Sequence, residues 1–348
     1  MSMENDVPIL EDIPDAVGFP YTVMPTGWFQ VGWSHELKAG DVRALKYFKQ
    51  QQVMYRGEDG QAVVMSAFCA HFGAHLAHGG RVEGCNIVCP YHGWTWGPDG
   101  RNIMAPSEGK ASEARRRIKR YPTVETCGII WVWHDALNRD PLWPAPKEER
   151  GGDKKYLPIN EHTAYGWTNV SAQPQYVTEN LVDIDHFIYV HKNTFISPQR
   201  SESDYPELDL DGPIAYVKAK PPRATAEAHG VGAMVVRVPD FPGKPWRFPA
   251  IVFSNTTPID NEKSDMFGCV LVEQDMNAEG CEGDAPVGSA LKRVEEQKFQ
   301  QQADFEIWAN MVYMRRPAYG RFEGKYFLKM RRWAEQFYPE AQAAGKAG

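Results

Sequence analysis

Through the first third of the chain, apolar residues come in short runs separated by turn-forming residues. Val53-Met-Tyr-Arg56, the turn Gly57-Glu-Asp-Gly60 and Ala62-Val-Val-Met65 have the form of a β-hairpin. Ile87-Val-Cys89 and Gly128-Ile-Ile-Trp-Val-Trp133 predict further strands. Glycine and proline punctuate the intervening loops at Gly73, Gly79, Gly80, Pro90, Gly93, Gly97, Pro98 and Gly100. This pattern predicts a small all-β module carrying two loops. Asp140-Pro-Leu-Trp-Pro-Ala-Pro146 and the charged stretch to Lys155 then read as a linker. Beyond it the periodicity is mixed. Gln175 to Val190 predicts a helix with Pro174 near its start. Ile214 to Lys218, Gly232 to Val238, Ala250 to Asn255 and Met266 to Glu273 predict strands, and Ala290 to Met314 a long amphipathic helix. Asn277 to Pro286, small, acidic and glycine-rich, reads as a loop. A sheet wrapped around a long helix is an α+β outcome.

The chain's 348 residues suit two domains. We place an extension at residues 1–24 that packs on the second domain, an all-β domain at 25–140 and the second domain at 141–348. With 43% hydrophobic and 12% aromatic residues, the chain can bury a large core. A formal net charge of −7 argues against non-specific nucleic-acid binding. Six cysteines without framework spacing, in a chain this large, point to a reducing cytoplasm. Met1 to Pro20 has no basic or apolar region of a signal peptide, and no stretch suits a membrane span.

Chemistry enters through four residues in two loops. Cys69-Ala-His71 and Cys89-Pro-Tyr-His92 each offer one sulfur and one imidazole nitrogen. Two such loops can grip a two-iron, two-sulfur cluster, Cys69 and Cys89 on one iron, His71 and His92 on the other. Neutral imidazole in place of anionic sulfur removes negative charge, so the reduced state is less penalised. A Cys2His2 zinc site takes the same atoms, but zinc fingers favour paired cysteines followed by paired histidines, and here each pair is mixed. His75 and His78 read as loop histidines, and Cys85 as an inert thiol.

A second set lies in Asn180-x-x-Asp183-x-x-His186-x4-His191. Two imidazoles and a carboxylate hold a mononuclear iron with positions open for dioxygen and substrate. Five residues on a straight helix turn through about 140°. The helix must therefore bend, bulge or end near Val190 if His186 and His191 are to meet one iron. Asp183, three residues before His186, is placed to accept a hydrogen bond from that ring's other nitrogen. Tyr176 and Asn180 precede the ligands and are candidates to face the iron. Taken alone, the pattern also suits an amphipathic helix with surface histidines.

The segment Cys69 to His71 with Cys89-Pro-Tyr-His-Gly-Trp94 resembles the Rieske iron–sulfur signature. Glu179-Asn-Leu-Val-Asp-Ile-Asp-His-Phe-Ile-Tyr-Val-His191 resembles the catalytic iron motif of Rieske non-haem iron oxygenases. The resemblance covers nearly the whole chain. It implies a Rieske [2Fe–2S] domain followed by a helix-grip catalytic domain. It also implies that Asp183 bridges His186 and a cluster histidine, matched by His92, of the neighbouring subunit, and hence a ring of identical subunits, most simply a trimer. The family's carboxylate ligand comes from a late helix. Among Asp260, Asp265, Asp275, Asp284, Asp304 and Glu306, the resemblance favours Asp304, with Glu306 second.

Arg331-Arg-Trp-Ala-Glu-Gln-Phe-Tyr338 is similar to the end of the 3-ketosteroid 9α-hydroxylase oxygenase group. This implies a monooxygenase acting on an apolar polycyclic substrate such as a steroid, in a pocket lined by strands Gly232 to Val238 and Ala250 to Asn255. No Gly-x-Gly-x-x-Gly nucleotide fingerprint is present, so electrons must come from a separate flavin or iron–sulfur reductase or ferredoxin. An aromatic-ring dioxygenase or an O-demethylase would carry the same metals. A pure electron carrier needs only about 110 residues.

Overall fold

The computed structural model describes residues 16–17, 19–148, 155–192, 197, 199, 201–219, 224–239, 249–273 and 281–341. Residues 1–15, Asp275, part of the linker at 149–154 and part of the acidic loop at 277–280 lie outside the described residues. The architecture is α+β, as the periodicity predicts. Among the described residues no helix is long and apolar enough to cross a membrane.

The N-terminal module is built from three small antiparallel sheets. The expected hairpin forms between Gln50–Arg56 and Ala62–Ser66, flanked by Val42–Tyr47 and Arg120–Tyr121. A second sheet runs Thr123–Thr126, Ile129–His134, Gly27–Trp33. A third, Arg81–Glu83, Asn86–Val88, Thr95–Trp96, Asn102–Met104, carries the second cysteine loop. Strand Ile129–His134 is buried on both faces because each face meets a different core. Ile130 and Val132 turn into the module, while Ile129, Trp131 and Trp133 turn outward onto the second domain. That is the two-residue period of a strand expressed as two hydrophobic interfaces.

The second domain is a seven-stranded antiparallel sheet, ordered Ala164–Val170, Ser264–Leu271, Ala250–Pro258, Ala233–Val238, Thr225–His229, Ile214–Lys218, Glu207–Asp211. Its strands alternate in the same way. Ala233, Val235, Ile251, Phe253, Cys269 and Leu271 pack against the tryptophans of the first module. Met234 points to the opposite core with Trp333 and Phe337, and Val252 and Val270 pack there with Ala290 and Val294. Burial of each large aliphatic or phenyl side chain contributes about 1.5–3 kcal/mol. The two domains are therefore joined by a continuous core.

The opposite face is covered by helices, and here two expectations are corrected. Gln175 to Val190 is not one helix. It forms α1 (Pro174–Glu179) and α2 (His186–Tyr189), separated by turns. The reason is visible in the burial of Val182 and Ile184 between the more exposed Asp183 and Asp185. That two-residue alternation cannot lie on one helical face. Ala290 to Met314 is likewise not continuous. It forms α3 (Gly288–Gln302), α4 (Phe305–Ala309) and a strand at Tyr313–Met314. The Ala303 amide is shared between the Phe299 and Gln300 carbonyls at 3.1 and 3.3 Å, and α4 restarts with Trp308 N donating to Asp304 O at 3.0 Å. The last helix, α5 (Gly324–Glu335), buries Met330, Trp333 and Ala334.

Among the described residues, Ala16, Val17, Phe19 and Tyr21 meet this domain. Ala16–Val17 pairs with Tyr313–Met314, and Phe19 meets Tyr176, Tyr313 and Tyr338 edge-on. Tyr21 stacks on Tyr338 at 4.2 Å.

Gly232 lies against Trp28 and Phe29 of the first module. A Cβ there would lie 2.4 Å from Phe29 Cδ1 and 3.0 Å from the Trp28 carbonyl. Gly232→Ala is expected to cost about 1–3 kcal/mol through overpacking. Chemical denaturation measures this, and an unchanged midpoint would show that the interface is loosely packed.

Candidate metal centres

The two cysteine loops are built alike. In each, the cysteine amide donates to the carbonyl five residues on, Cys69 N to Ala74 O at 2.9 Å and Cys89 N to Trp94 O at 2.8 Å. In each, the cysteine carbonyl accepts from a glycine four residues on, Gly73 at 2.8 Å and Gly93 at 3.1 Å. Both glycines have positive φ, +75° and +70°, the backbone region that side chains penalise. These bonds turn the Cys and His side chains of each loop toward the other loop. Cys69 and Cys89 are buried, and the His71 and His92 rings lie 4.8 Å apart. Trp94 stacks flat on His71 at 4.3 Å and fixes its plane. His92 is exposed at the outer edge beside Tyr91, which is 66% exposed.

These four residues fit a Rieske cluster. Burial, and the adjacent Cys89, push the Cys69 thiol above its ordinary value, so a nearby cation would favour its thiolate form. His71 Nδ1 is buried with no hydrogen-bond partner among the described residues. An unsatisfied buried nitrogen of this kind is what a metal ligand leaves. The other local candidates are engaged elsewhere. His75 Nδ1 accepts from the Ala77 amide at 3.2 Å, and its ring meets His78 at 4.5 Å. The Cys85 thiol is bonded to Asp59.

The second centre is assembled from two distant segments. His186, His191 and Asp304 each offer a ligand atom, and these atoms lie within 4.8 Å of one another. The break before α2 places His186 at the helix start, and the helix ends at Tyr189, so His191 swings back beside it. Their rings are 5.0 Å apart and inclined by 72°. Asp304 arrives through the break between α3 and α4, its Oδ2 3.6 Å from His191 Nε2. Burial pushes the Asp304 carboxyl up to about 6; His186 opposes this and Asp183 adds to it. A buried anion of that kind is offset by a cation between it and the two imidazoles, so the donor set fits a divalent iron.

Asp183 holds His186, but not as expected. The His186 Nδ1 donates to the Asp183 backbone carbonyl at 2.6 Å, while the carboxylate Oδ1 is 3.7 Å away and accepts from the His186 amide at 3.2 Å. The carbonyl thus fixes the tautomer, leaving Nε2 as the ligand nitrogen. Burial pushes the Asp183 carboxyl up, but its bonds to His186 and the charge of that ring hold it below the usual range. The Asp183 side chain remains 30% exposed. Tyr176 does not face the histidines: its ring packs on Phe19 and Tyr313. Asn180 caps α1, and its carbonyl accepts the Asp183 amide at 3.3 Å.

The remaining carboxylates are placed elsewhere. Asp260 closes a turn by accepting from Glu262 and Lys263, and Asp265 accepts from the Tyr47 hydroxyl at 2.8 Å. Glu306 is exposed. A cavity of about 290 Å³ opens between Phe19, Gln173, Tyr176, Lys263 and Trp308. None of its walls comes from Gly232 to Val238 or Ala250 to Asn255, whose inward residues are core instead.

The sequence reading missed what holds α1. Glu179 is buried, and Arg331 of α5 grips it through Nε to Oε1 and Nη2 to Oε2, both at 3.0 Å. Gln175 Nε2 adds 2.8 Å to Oε1, and Arg331 Nη1 donates to Met314 O at 2.7 Å. The only signal was a carboxylate among the residues α1 turns inward. Glu179→Gln leaves the guanidinium unpaired and is expected to cost about 3–5 kcal/mol in chemical denaturation. The double substitution Glu179→Met with Arg331→Leu should recover most of it. A single variant as stable as the original chain would show that the pair carries no load.

Residues 132–338 match the family model described as the 3-ketosteroid 9alpha-hydroxylase C-terminal domain, and residues 27–122 that of the Rieske [2Fe-2S] domain. The chain is 30% identical over 336 residues to a Bombyx mori protein named cholesterol 7-desaturase nvd, covering 91% of this chain and 70% of that one. It spans only 36% of the length of a protein of the same name from Hemicentrotus pulcherrimus. It is 27% identical to the probable 3-ketosteroid-9-alpha-monooxygenase oxygenase component of Rhodococcus rhodochrous, covering 94% and 83% of the two chains. Among solved structures, Pseudomonas putida CBB5 NdmB superposes with a TM-score of 0.68 at 18% identity, covering 88% and 89%, which shows a shared fold.

Proposed function

We infer that this chain, which belongs to the 3-ketosteroid 9α-hydroxylase family of Rieske-type oxygenases, is a terminal oxygenase component that hydroxylates a steroid-like substrate. The chain is an oxidoreductase whose cofactors are a Rieske [2Fe–2S] cluster and a mononuclear iron. In our reading Cys69, His71, Cys89 and His92 hold the first, and His186, His191 and Asp304 hold the second. The observation that carries the oxygenase assignment is the convergence of those last three residues from two breaks in helical structure. When bound, the iron supplies dioxygen activation and the cluster supplies electrons singly.

The chain's own residues do the positioning. The Asp183 carbonyl fixes the ring of His186, and Trp94 fixes that of His71. Phe305, next to Asp304, packs edge-on against Trp167 at 5.0 Å, and Val236 lies partly buried on the same side of the sheet. Such apolar walls exclude water and suit a polycyclic hydrocarbon skeleton. In the hydroxylation, one oxygen atom enters a substrate C–H bond and the other leaves as water. The two electrons come from a separate flavin or iron–sulfur reductase or ferredoxin, and the two protons from solvent. The partly exposed Asp183 suits a bridge to His92 of a second copy, in a trimer with head-to-tail electron flow. A reducing cytoplasm suits the thiols of Cys85 and Cys127.

A second reading rests on the 30% identity to the protein named as a desaturase. Desaturation of a sterol would use the same dioxygen and electrons, but both oxygen atoms would leave as water. Incubation with a panel of sterols and 3-ketosteroids under ¹⁸O₂ separates the two. Label in a hydroxylated steroid supports the hydroxylase, and an unlabelled alkene the desaturase. A labelled cis-diol from an arene, or formaldehyde from a methoxyarene, sinks both. Close to three irons per chain are expected, and two would leave only an electron carrier.

For the relay, Asp183→Ala is expected to retain both metal contents while turnover falls by orders of magnitude. Single-turnover kinetics check it: surviving transfer from cluster to iron at the original rate rules out the inter-subunit bridge.

A further inference from the structure

A dense cationic run in this acidic chain adjoins the two cysteine loops. In Arg115-Arg-Arg-Ile-Lys-Arg120 every residue but Ile118 is cationic and exposed, although the whole chain carries −7. Ile118 is buried, and its amide donates to the Gly100 carbonyl at 2.9 Å. Gly100 has φ +78°, and a Cβ there would lie 2.1 Å from Ile118 O, so the run is clamped with its charges outward.

The run is attached to both cluster loops. On one side, Ser66 N donates to Lys119 O at 2.8 Å and Arg120 pairs with Met65, three and four residues before Cys69. On the other, Arg117 bridges to Arg101, the residue before strand Asn102–Met104 of the sheet that carries the second loop. The segment leading into the run touches that loop directly, since Pro106 Cγ is 3.2 Å from where a Gly93 Cβ would stand. Nearby acids are engaged elsewhere, Asp99 with Arg101 and Glu113 with Lys110. Among the described residues, no ion pair engages Arg115, Arg116, Arg117 or Arg120. Crowding like charges without counter-charges costs stability, so the arrangement calls for a partner that supplies them.

We propose that this run is the docking surface for an acidic iron–sulfur electron donor. The proposal rests on the oxygenase reading, in which the cluster is reduced from outside. With the His92 edge turned to a neighbouring copy, the donor reaches the cluster from the cationic side. One electron leaves the donor's reduced iron–sulfur centre, which is oxidised, and reduces the cluster of this chain. No bond forms or breaks. Complementary charge acts mainly on the association rate, and salt screens it over about 8 Å at physiological ionic strength.

The experiment is stopped-flow reduction of the cluster, read by visible bleaching, in the intact iron-loaded protein. The probes are a reduced plant-type [2Fe–2S] ferredoxin of net negative charge and reduced methyl viologen, a small cation. With ferredoxin, the original chain should react fastest at low salt and slow steeply as salt rises. The triple variant Arg115→Glu, Arg116→Glu, Arg117→Glu should lose about tenfold or more at low salt and show a flattened salt dependence. The triple Gln variant should fall between. Methyl viologen should reduce every variant at least as fast as the original chain. Equal ferredoxin rates across the series would overturn the proposal. So would a loss that tracks a changed sedimentation coefficient, because the run would then face a second copy. If neither probe reduces the cluster of the original chain, the oxygenase reading itself fails.

Discussion

Glu179 and Arg331 are both largely withdrawn from water, and each satisfies the other with two parallel hydrogen bonds. Glu179 is the last residue of α1, and the next six residues make no helix before His186 opens α2. The pair therefore fixes the point from which the ligand-bearing segment departs. Arg331 also bonds the Met314 carbonyl, in the strand that pairs with Ala16–Val17. One guanidinium thus ties α1, α5 and the strand after α4. Such a pair contributes little net stability against a well-packed apolar alternative, but breaking it leaves a buried charge, which makes the arrangement sharply specific.

The metal triad depends on irregularity at two places. A straight helix through 175–190 would set His186 and His191 about 140° apart. The observed break and early helix end bring their rings to 5.0 Å. The second place is the end of α3: the helix stops at Gln302 and α4 begins after Asp304, and the carboxylate is buried beside His191. Burial raises its pKa, so this carboxyl is costly without a cation and well suited to one.

The sheet supplies the rigid frame. Its strands turn alternate residues toward the tryptophan-rich first module and toward the helices, so the cluster-bearing module and the triad-bearing helices share one support. Gln30 and Asn255 add a buried amide pair at 2.8 Å across that interface.

How much of this was legible depended on sequence distance. The two loops proposed to hold the cluster were legible because each is local: Cys, His and the left-handed glycine fall within five residues, and hydrogen bonds inside the loop fix them. The hairpin and most strands were readable because a two-residue alternation is stamped directly on the sequence. His186 and His191 were legible as a pair, but the helix drawn through them was too long, because the burial of Val182 and Ile184 is decided by what they pack against. Asp304 was singled out by family resemblance, and only the fold brings it to His191, across more than a hundred residues. The Glu179–Arg331 pair and the Asp183 carbonyl that holds His186 left no sequence signal beyond a buried-face carboxylate. By itself, then, the sequence determined the loops and strands whose bonds close within a few residues. The tertiary structure decided the helix breaks, the approach of Asp304 to the two histidines and the ion pair beneath them, because each is stabilised by groups that only folding brings together.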